Sequence, residues 1–398
     1  MMSTWETNTV AECLRSIRVN CPKLQTAEYK QSGLYPVIDQ GQNFISGWTD
    51  NEAAVISSGL PIVVFGDHTR IFKYVDIPFA RGADGTQLLC PKSYLNPRFF
   101  YYSCKAIHLD SRGYNRHFKA LKESEIQFPR NIEEQQAIAT LLYGMESLQL
   151  INQKKLAASV NLKHATMHKL FTCGLRGESQ KETEIGLVPE SWDPTAIDNL
   201  ATKTQYGLSL RGHAKGQYPI LRMNCQVDGK VEFRDLQYVD IDDDTFVSFK
   251  VKYGDILFNR TNSIEHVGRT AIYNHHDDAV FASYLVRLSV NAEKCIPEFI
   301  NYYMNWPTAQ KEIKKMASRA VGQANINATK LRTSKVPLPQ TIEEQQDIVD
   351  ILDAIDQKID LHRRKKAVLE ELFKSLLHKL MTGEIRVDDL DLSALEPV

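Results

Sequence analysis

Two similar stretches of twelve residues occur in this chain of 398 residues, NIEEQQAIATLL from Asn131 and TIEEQQDIVDIL from Thr341. The offset of 210 positions (342 − 132) is kept further along, where HKLFT at 168–172 matches HKLMT at 378–382. Chance does not preserve one register over so long a span. The sequence therefore predicts a tandem duplication, in which a variable module is followed each time by a helical module.

Both helical modules carry start and stop signals. Thr341 and Glu344 have the spacing of a capping box, and Asn131 gives the first copy an asparagine cap. Gly174 and Gly383 lie where each helix should end. We expect the helices within 131–176 and 341–386, each of about 40 residues and so about 60 Å long at 1.5 Å per residue.

The second helix has an apolar stripe that alternates spacings of four and three, which predicts burial against another helix. Its members are Ile348, Leu352, Ile355, Ile359, Leu369, Phe373, Leu376 and Leu380, interrupted by His362 and Lys366. The first helix has a rougher stripe, broken by Gln149 and Asn152. Those polar residues fit either a register-setting seam or plain surface exposure. The two helices are the obvious partners for each other, packed antiparallel.

The variable modules are predicted to be α/β (α+β) domains, so that the fold is two such domains separated by two long antiparallel coiled-coil-like helices with a pseudo-twofold repeat. The expected order is a first domain at 1–130, the first helix at 131–176, a linker at 177–192, a second domain at 193–340, the second helix at 341–386 and an acidic tail at 387–398. Short apolar runs that end at turns predict equivalent strands in the two domains.

Composition indicates a soluble cytosolic protein, because the seven cysteines have irregular spacing and there is no apolar stretch of membrane-spanning length. The formal net charge is only −1, but its distribution is uneven. Seven basic residues and one acid lie between Lys311 and Lys335, whereas 341–398 holds eight basic and fourteen acidic residues. The basic segment favours a surface that faces phosphate.

Motifs for catalysis are missing from the sequence. There is no GxxxxGK[ST] phosphate loop, and NPRF at 96–99 lacks the second proline of a DNA amino-methyltransferase motif. NHHDD at 274–278 offers metal-binding residue types, but adjacent residues on a turn cannot all face one ion. We therefore expect a binding protein without catalytic residues, bound metal or cofactor.

The repeated [NT]-I-E-E-Q-Q opens each long helix, H-K-L-[FM]-T closes it, and L-x-x-S-x-[IV]-x-[FL]-P precedes each copy. EIGLVPESW at 184–192 opens the second domain. In these residues, over essentially its whole length, the chain resembles the specificity (S) subunit of type I restriction-modification systems. The resemblance implies two target-recognition domains, each reading one half of a split asymmetric site in double-stranded DNA, and helices that set the half-site spacing.

The resemblance also implies the partners. S subunits have no catalytic activity; they recruit two methyltransferase (M) subunits, which use S-adenosylmethionine to methylate adenine. In the full complex they are joined by two restriction (R) subunits that need ATP and Mg. The cofactors are thus expected in partner subunits.

Polar segments that mix Arg, Asn or Gln with Gly are the candidates for DNA contact, since Arg suits guanine and Asn or Gln suits adenine. In the first domain they are Gln42, Asn43, His68, Arg70, Arg112, Asn115 and Arg116. In the second domain they are Arg222, Asn224, Asn259, Arg260, Asn262, Arg319, Gln323 and Asn325.

Acidic residues at the start of each helix would repel DNA, so they are predicted to dock the methyltransferase subunits. They are Glu133, Glu134, Glu343, Glu344 and Asp347. Two other interpretations stay open. A protein scaffold would bind partners without DNA sequence preference, and an enzyme with an unrecognised site would show turnover in isolation.

Overall fold

The computed structural model describes residues 5–17, 19–83, 85–110, 116–320 and 322–390. The chain divides into two compact units. The first unit joins the chain up to Lys154 with the chain from Arg364 onward, and the second unit is Lys155–Arg363. Each unit therefore contains one variable domain and one half of each long helix.

The first unit is mixed α and β. Its strands are β1 (Trp5–Thr9), β2 (Tyr35–Ile38), β3 (Gly47–Thr49), β4 (Val55–Ile56), β5 (Ile62–Gly66), β6 (Phe72–Val75), β7 (Phe79–Arg81), β8 (Thr86–Leu89) and β9 (Glu125–Pro129). Its helices are α1 (Val10–Cys13), α2 (Pro97–Ala106), α3 (Phe118–Glu123) and the first part of α4 (Ile132–Cys173).

The second unit begins with the rest of α4. Its strands are β10 (Gln180–Thr183), β11 (Gly186–Pro189), β12 (Asp193–Ala196), β13 (Ala201–Tyr206), β14 (Tyr218–Leu221), β15 (Gln226–Val227), β16 (Lys230–Val231), β17 (Gln237–Val239), β18 (Ile256–Asn259), β19 (Thr261–Asn262), β20 (Thr270–Ile272), β21 (Val280–Phe281), β22 (Leu285–Val290), β23 (Ser318–Ala320), β24 (Gln323–Asn325) and β25 (Lys335–Leu338). Its helices are α5 (Ile197–Leu200), α6 (Asp243–Phe249), α7 (Pro297–Asn305), α8 (Pro307–Lys315), α9 (Ala328–Thr333) and the first part of α10 (Ile342–Met381).

Each predicted strand pair has equivalent neighbours in the two domains. Strand β2 pairs in parallel with β7, and β14 pairs in parallel with β21. The fully buried β5 lies between β6 and β8, as the fully buried β18 lies between β20 and β22. The last strand of each domain returns to the first, β9 to β1 and β25 to β12, so each domain closes beside its long helix.

The predicted linker at 177–192 is structured. Strands β10 and β11 form an antiparallel hairpin within it, and Trp192 directly after it is fully buried. The indole Nε1 of Trp192 donates to Glu344 Oε1 at 3.3 Å, and its ring lies 5.8 Å from that of Phe299. The hairpin therefore ends in an aromatic anchor that joins the second domain to α10.

The long helices run antiparallel inside each unit. In the first unit, Gln149 of α4 donates to the carbonyl of Leu369 at 2.9 Å, and Gly383, after the end of α10, lies beside Trp5, whose strand pairs with β9 just before α4. In the second unit, Leu170 near the end of α4 shares a core with Ile348 near the start of α10. Gln149 and the buried Asn152 thus lie in the seam and not at the surface.

The apolar stripe is buried as predicted. Its buried members are Ile348, Leu352, Ile359, Leu369, Phe373 and Leu380. The glycines that follow the helices, Gly174 and Gly383, have φ values of +66° and +68°. These left-handed conformations favour glycine and explain why each helix stops there.

A buried glutamine from the repeated motif fastens each long helix to its domain. Gln135 is fully buried; its Oε1 accepts from the backbone N–H of Asn96 at 2.7 Å, and its Nε2 donates to the carbonyl of Pro129 at 2.8 Å. Gln345 repeats the contact, with Oε1 accepting from the N–H of Ile296 at 2.9 Å. Asn96 and Ile296 precede the prolines that open α2 and α7.

Two expectations from composition concern the chain as a whole. All seven cysteines are free thiols, and five of them are buried. Within the part of the chain that the structure describes, the helices are too polar or too short for a membrane span.

Replacing Gln345 with alanine is expected to lower the free energy of unfolding by about 1–3 kcal/mol, because part-buried backbone groups at Ile296 and Lys294 lose their partner. The matched control is Gln346→Ala, since Gln346 is exposed and bonds within α10, to Asp350. Its effect should stay within about 0.5 kcal/mol. Scanning calorimetry of the full chain measures both, and equal transition temperatures for the two variants would contradict this role.

Candidate nucleic-acid interface

Three polar segments of the second domain converge, although they are far apart in sequence. They are 221–224, 259–263 and 318–327, together called the second-domain cluster. Strand β19 of the middle segment pairs with β24, and β24 pairs with β23. The predicted loops at 259–263 and 318–327 are therefore one three-stranded sheet.

Side chains reinforce this sheet. Asn325 Nδ2 donates to Thr261 Oγ1 at 2.7 Å, and Asn262 Nδ2 lies 3.2 Å from the sulfur of Met223 in the first segment. Arg222 donates to the carbonyl of Asp235 at 2.6 Å and Asn224 to that of Arg234 at 3.3 Å. Arg319 and Gln323 are exposed on the hairpin of β23 and β24. The cluster presents Arg, Asn and Gln side chains side by side, which is the residue set that reads base edges.

Arg260 is held in place at the edge of the cluster. Its guanidinium lies 4.8 Å from the centre of the Tyr206 ring, and Nη1 donates to the carbonyl of Ser283 at 3.3 Å. The hydroxyl of Tyr206 accepts from the N–H of Ala328 at 2.9 Å, so the platform under Arg260 is itself fixed. A guanidinium that is pre-oriented in this way loses little entropy when it binds a ligand.

Asn259 lies inside the domain, although the sequence predicts it as a DNA contact. It is 2% exposed, and Nδ2 donates to Gln226 Oε1 at 3.0 Å. Gln226 in turn donates to the carbonyl of Leu257 at 2.7 Å. The sequence predicts a contact here because Asn259 ends a buried strand, but β18 is buried over its whole length, Asn259 included. Asn259 therefore supports the interface from below and has no accessible surface with which to touch a base.

A further exposed segment of the second domain is not among the DNA contacts predicted from the sequence. The loop 207–217 carries Arg211, His213 and Lys215, all exposed, next to Leu210, which is 49% exposed. His213 forms a bridge with Tyr238 that closes the base of the loop. The signal in the sequence is three basic residues interleaved with glycines, which is typical of loops that approach phosphate.

The first domain also brings its predicted segments together. They are 39–43, 66–70 and the described part of 111–117, which is Arg116 and His117; together they are called the first-domain cluster. Gln40 Oε1 accepts from the N–H of His68 at 3.2 Å, and the Arg70 guanidinium donates to the carbonyl of Leu109 at 2.7 Å. Asp67 is buried and accepts from the N–H of His117 at 2.8 Å. Each segment is thus bonded to another one.

Exposure differs among the predicted residues of the first-domain cluster. Gln42, Asn43 and Arg116 are exposed, whereas His68 and Arg70 are half-buried. Arg112 and Asn115 lie outside the described residues. Below the cluster, burial lowers the pKa of Lys73, an effect that the nearby Asp39 carboxylate opposes; Lys73 donates to the carbonyl of Asn43 at 2.5 Å.

The predicted docking residues do not share one environment. Glu133, Glu343 and Asp347 are exposed, whereas Glu134 and Glu344 are half-buried. Glu344 accepts from Trp192, so it joins α10 to the second domain and is a poor candidate for binding a partner. Among the described residues, no group of three or more His, Cys, Asp or Glu side chains could hold a metal ion.

Comparison with known proteins fits this architecture. Residues 189–371 match the family model of the type I restriction modification DNA specificity domain. This segment resembles a type I specificity domain. It contains the whole second-domain cluster together with Trp192 and Gln345, and the resemblance inferred from the sequence is confirmed.

Two curated relatives are specificity subunits. The putative type I restriction enzyme MjaX specificity subunit of Methanocaldococcus jannaschii is 34% identical over 208 residues, which are 52% of this chain and 49% of that protein. The EcoKI specificity subunit of Escherichia coli is 25% identical over 197 residues, which are 48% of this chain and 42% of that protein. The chain thus spans about half the length of these relatives.

Solved structures extend the likeness of fold to nearly the whole chain. The type I restriction-modification S subunit from M. genitalium superposes with a TM-score of 0.65 at 17% identity, covering 96% of both chains. A chain from a structure of a type I R-M system superposes with a TM-score of 0.54 at 15% identity, covering 96% of this chain and 98% of that one. The chain therefore shares the fold of these structures over nearly its whole length.

Asn259 and Asn262 offer a test of which polar residues support the interface and which form it. Asn259→Ala is expected to lower the free energy of unfolding by about 1–3 kcal/mol, because Gln226 Oε1 loses its buried donor. Asn262→Ala should cost less than about 1 kcal/mol, since its bond goes to a weakly accepting sulfur. Thermal unfolding of the full chain measures both, and a larger loss for Asn262→Ala would reverse the assignment.

Proposed function

We propose that this chain is the non-catalytic DNA-recognition subunit of a type I restriction-modification complex. Each domain reads one half of a bipartite, asymmetric site in double-stranded DNA. The observation that carries the proposal is the convergence of separate Arg-, Asn- and Gln-bearing segments into one cluster in each domain. These residues were selected from the sequence because their side chains suit base edges. Their clustering in the folded domains supports DNA as the ligand.

The two clusters are unlike, which supports a non-palindromic target. The second-domain cluster is built on the β19–β24–β23 sheet and displays Arg319, Gln323 and Asn325. The first-domain cluster is built on turns and displays Gln42 and Asn43. Since different side chains face the DNA, the two half-sites differ in sequence.

The long helices carry the features of a protein-docking surface. Large apolar side chains are exposed on them: Tyr143 at 51%, Leu150 at 52%, Leu162 at 50%, Leu361 at 58% and Val368 at 62%. Exposed apolar side chains rimmed by polar ones mark protein interaction sites. The exposed acids Glu133, Glu343 and Asp347 lie on the same helices. We propose that these faces bind two methyltransferase subunits.

The partners supply the chemistry in this proposal. Two methyltransferase subunits hold S-adenosylmethionine and methylate adenine, and two restriction subunits use ATP and Mg. This chain contributes base recognition, the spacing of the half-sites and the docking surface. Its own cofactor requirement is none.

The proposal is tested by long-read methylation profiling of cells that express this chain with its methyltransferase partner, against cells that lack this chain. We expect a new split motif with methylated adenine on both strands. An Asn325→Ala variant should change the bases accepted in one half of the motif only, because Asn325 belongs to one cluster. Co-purification of the two proteins without any new motif would refute DNA recognition and favour a protein scaffold.

Reversing the charge of Glu343 and Asp347 together is expected to weaken assembly with the methyltransferase subunit by about tenfold, since two rim charges change sign. The methylation motif should stay the same, because neither cluster is touched. Lys substitution of Asp243 and Asp244 together, two exposed acids of α6 outside the long helices and both clusters, is the matched control. Isothermal titration measures the affinity of each variant for the methyltransferase subunit, and sequencing reads its methylation motif. A changed motif in the double variant would contradict the docking role.

A further inference from the structure

A tyrosine in each domain reaches the long helices at equivalent places in the repeat. Tyr102 and Tyr302 each stand five positions after the proline that opens α2 or α7 (102 − 97 and 302 − 297). Their acceptors, Glu146 of α4 and Asp356 of α10, are separated by the repeat offset of 210 (356 − 146). Duplication has thus kept the same bond twice, although the two domains have diverged around it.

In the second unit the bond lies in a node of four side chains, of which Tyr302 and Asp356 are buried. The hydroxyl oxygen of Tyr302 lies 2.5 Å from Asp353 Oδ1 and 2.8 Å from Asp356 Oδ2, so its one proton is donated between these two carboxylates. Lys163 of α4 pairs with Asp356 at 2.6 Å and lies 5.0 Å from the centre of the Tyr302 ring. Burial, together with the charge of Asp356, raises the pKa of Tyr302 above its usual range, so its hydroxyl keeps the proton that it donates. The node joins α7 to both long helices.

In the first unit a node of different composition has the same connections. Tyr102 donates to Glu146 at 2.7 Å, and Lys105 of α2 pairs with the same carboxylate. Lys105 also lies 5.1 Å from the centre of the Phe373 ring of α10, and the ring of Tyr102 packs edge-on to Phe373. Here too the helix of the domain, α4 and α10 meet at one point.

The nodes supply a second fastening for each domain. The glutamine anchors hold Asn96 and Ile296, the capping residues of α2 and α7. The tyrosines hold the same short helices six positions later, between one and two helical turns further on. One anchor fixes a point, whereas two anchors along one helix fix its angle. A charge-assisted hydrogen bond that is buried is also strong and directional.

We propose that Tyr102 and Tyr302 are positioning residues that hold each domain at a fixed angle on the long helices, so that the complex accepts one spacing between the two half-sites. The proposal rests on the function proposed above. Each extra base pair between half-sites shifts the second one by about 3.4 Å and rotates it by about 35°. A domain that can rock on its helices tolerates such a shift, and a domain that is fastened twice does not.

The test uses the full chain with its methyltransferase partner and a plasmid library in which the two half-sites are separated by spacers of varied length. Methylation is read by long-read sequencing. For Tyr302→Phe and, separately, Tyr102→Phe, we expect methylation at spacers one base pair longer or shorter to rise by about tenfold relative to the preferred spacer. The bases of each half-site should not change, because both clusters keep their contacts.

The matched control is Tyr303→Phe. Tyr303 follows Tyr302 in α7, and its ring packs 5.4 Å from that of Phe171 in α4, a contact that phenylalanine keeps. This variant should keep the spacer preference of the unchanged chain. A merely structural role of Tyr302 would lower methylation at all spacers alike and leave the spacer ratio unchanged. Where methylation is too low to read, DNA binding by the purified complex gives the same ratio.

The outcomes separate this inference from the function on which it rests. If the unchanged chain produces no motif, both fail. If the unchanged chain selects one spacer and either tyrosine variant selects it with the same ratio, the positioning role is overturned and DNA recognition stands. The two variants lie in separate cores, so a folding defect in one leaves the other to decide.

Discussion

Each domain completes its hydrophobic core with half of each long helix, and this sharing governs the rest of the structure. In the second unit, Phe171 of α4 and Leu352 of α10 lie in one core with Phe299 of the domain. In the first unit, Leu142 and Phe373 do the same for the domain helix α2. Long helices with one apolar stripe are unstable alone in water. Here the stripe is covered by two partners, which are the opposite long helix and the domain.

Much of this architecture was predictable because the duplication presents each structural signal twice in the sequence. Helix bounds, caps and the buried stripe follow from periodicity and from Gly174 and Gly383, which are local properties. The seam role of Gln149 was not decidable, because a polar residue in a stripe looks the same whether it faces solvent or a partner backbone. Only the position of the Leu369 carbonyl decides it.

The candidate site was predictable as a set of segments but not as individual contacts. Residue types suited to base edges marked the segments that form both clusters. Exposure did not follow from type: Asn259 is interior because β18 remains covered to its last residue, and Glu344 turns toward Trp192. Such outcomes depend on neighbours distant in sequence, which no local pattern records. The loop at 207–217 was missed for the opposite reason, since its glycines resemble those of an ordinary turn.

Within the described residues, the side chains of Gln135 and Gln345 bond to backbone atoms of the domains that they fasten. Backbone groups are present whatever side chains a domain carries. A domain can therefore exchange surface residues without a compensating change at Gln135 or Gln345, as long as it keeps the side chains that share a core with the helices. Under the proposed function, such exchange would give a domain a new target sequence while the docking faces of the helices stay unchanged.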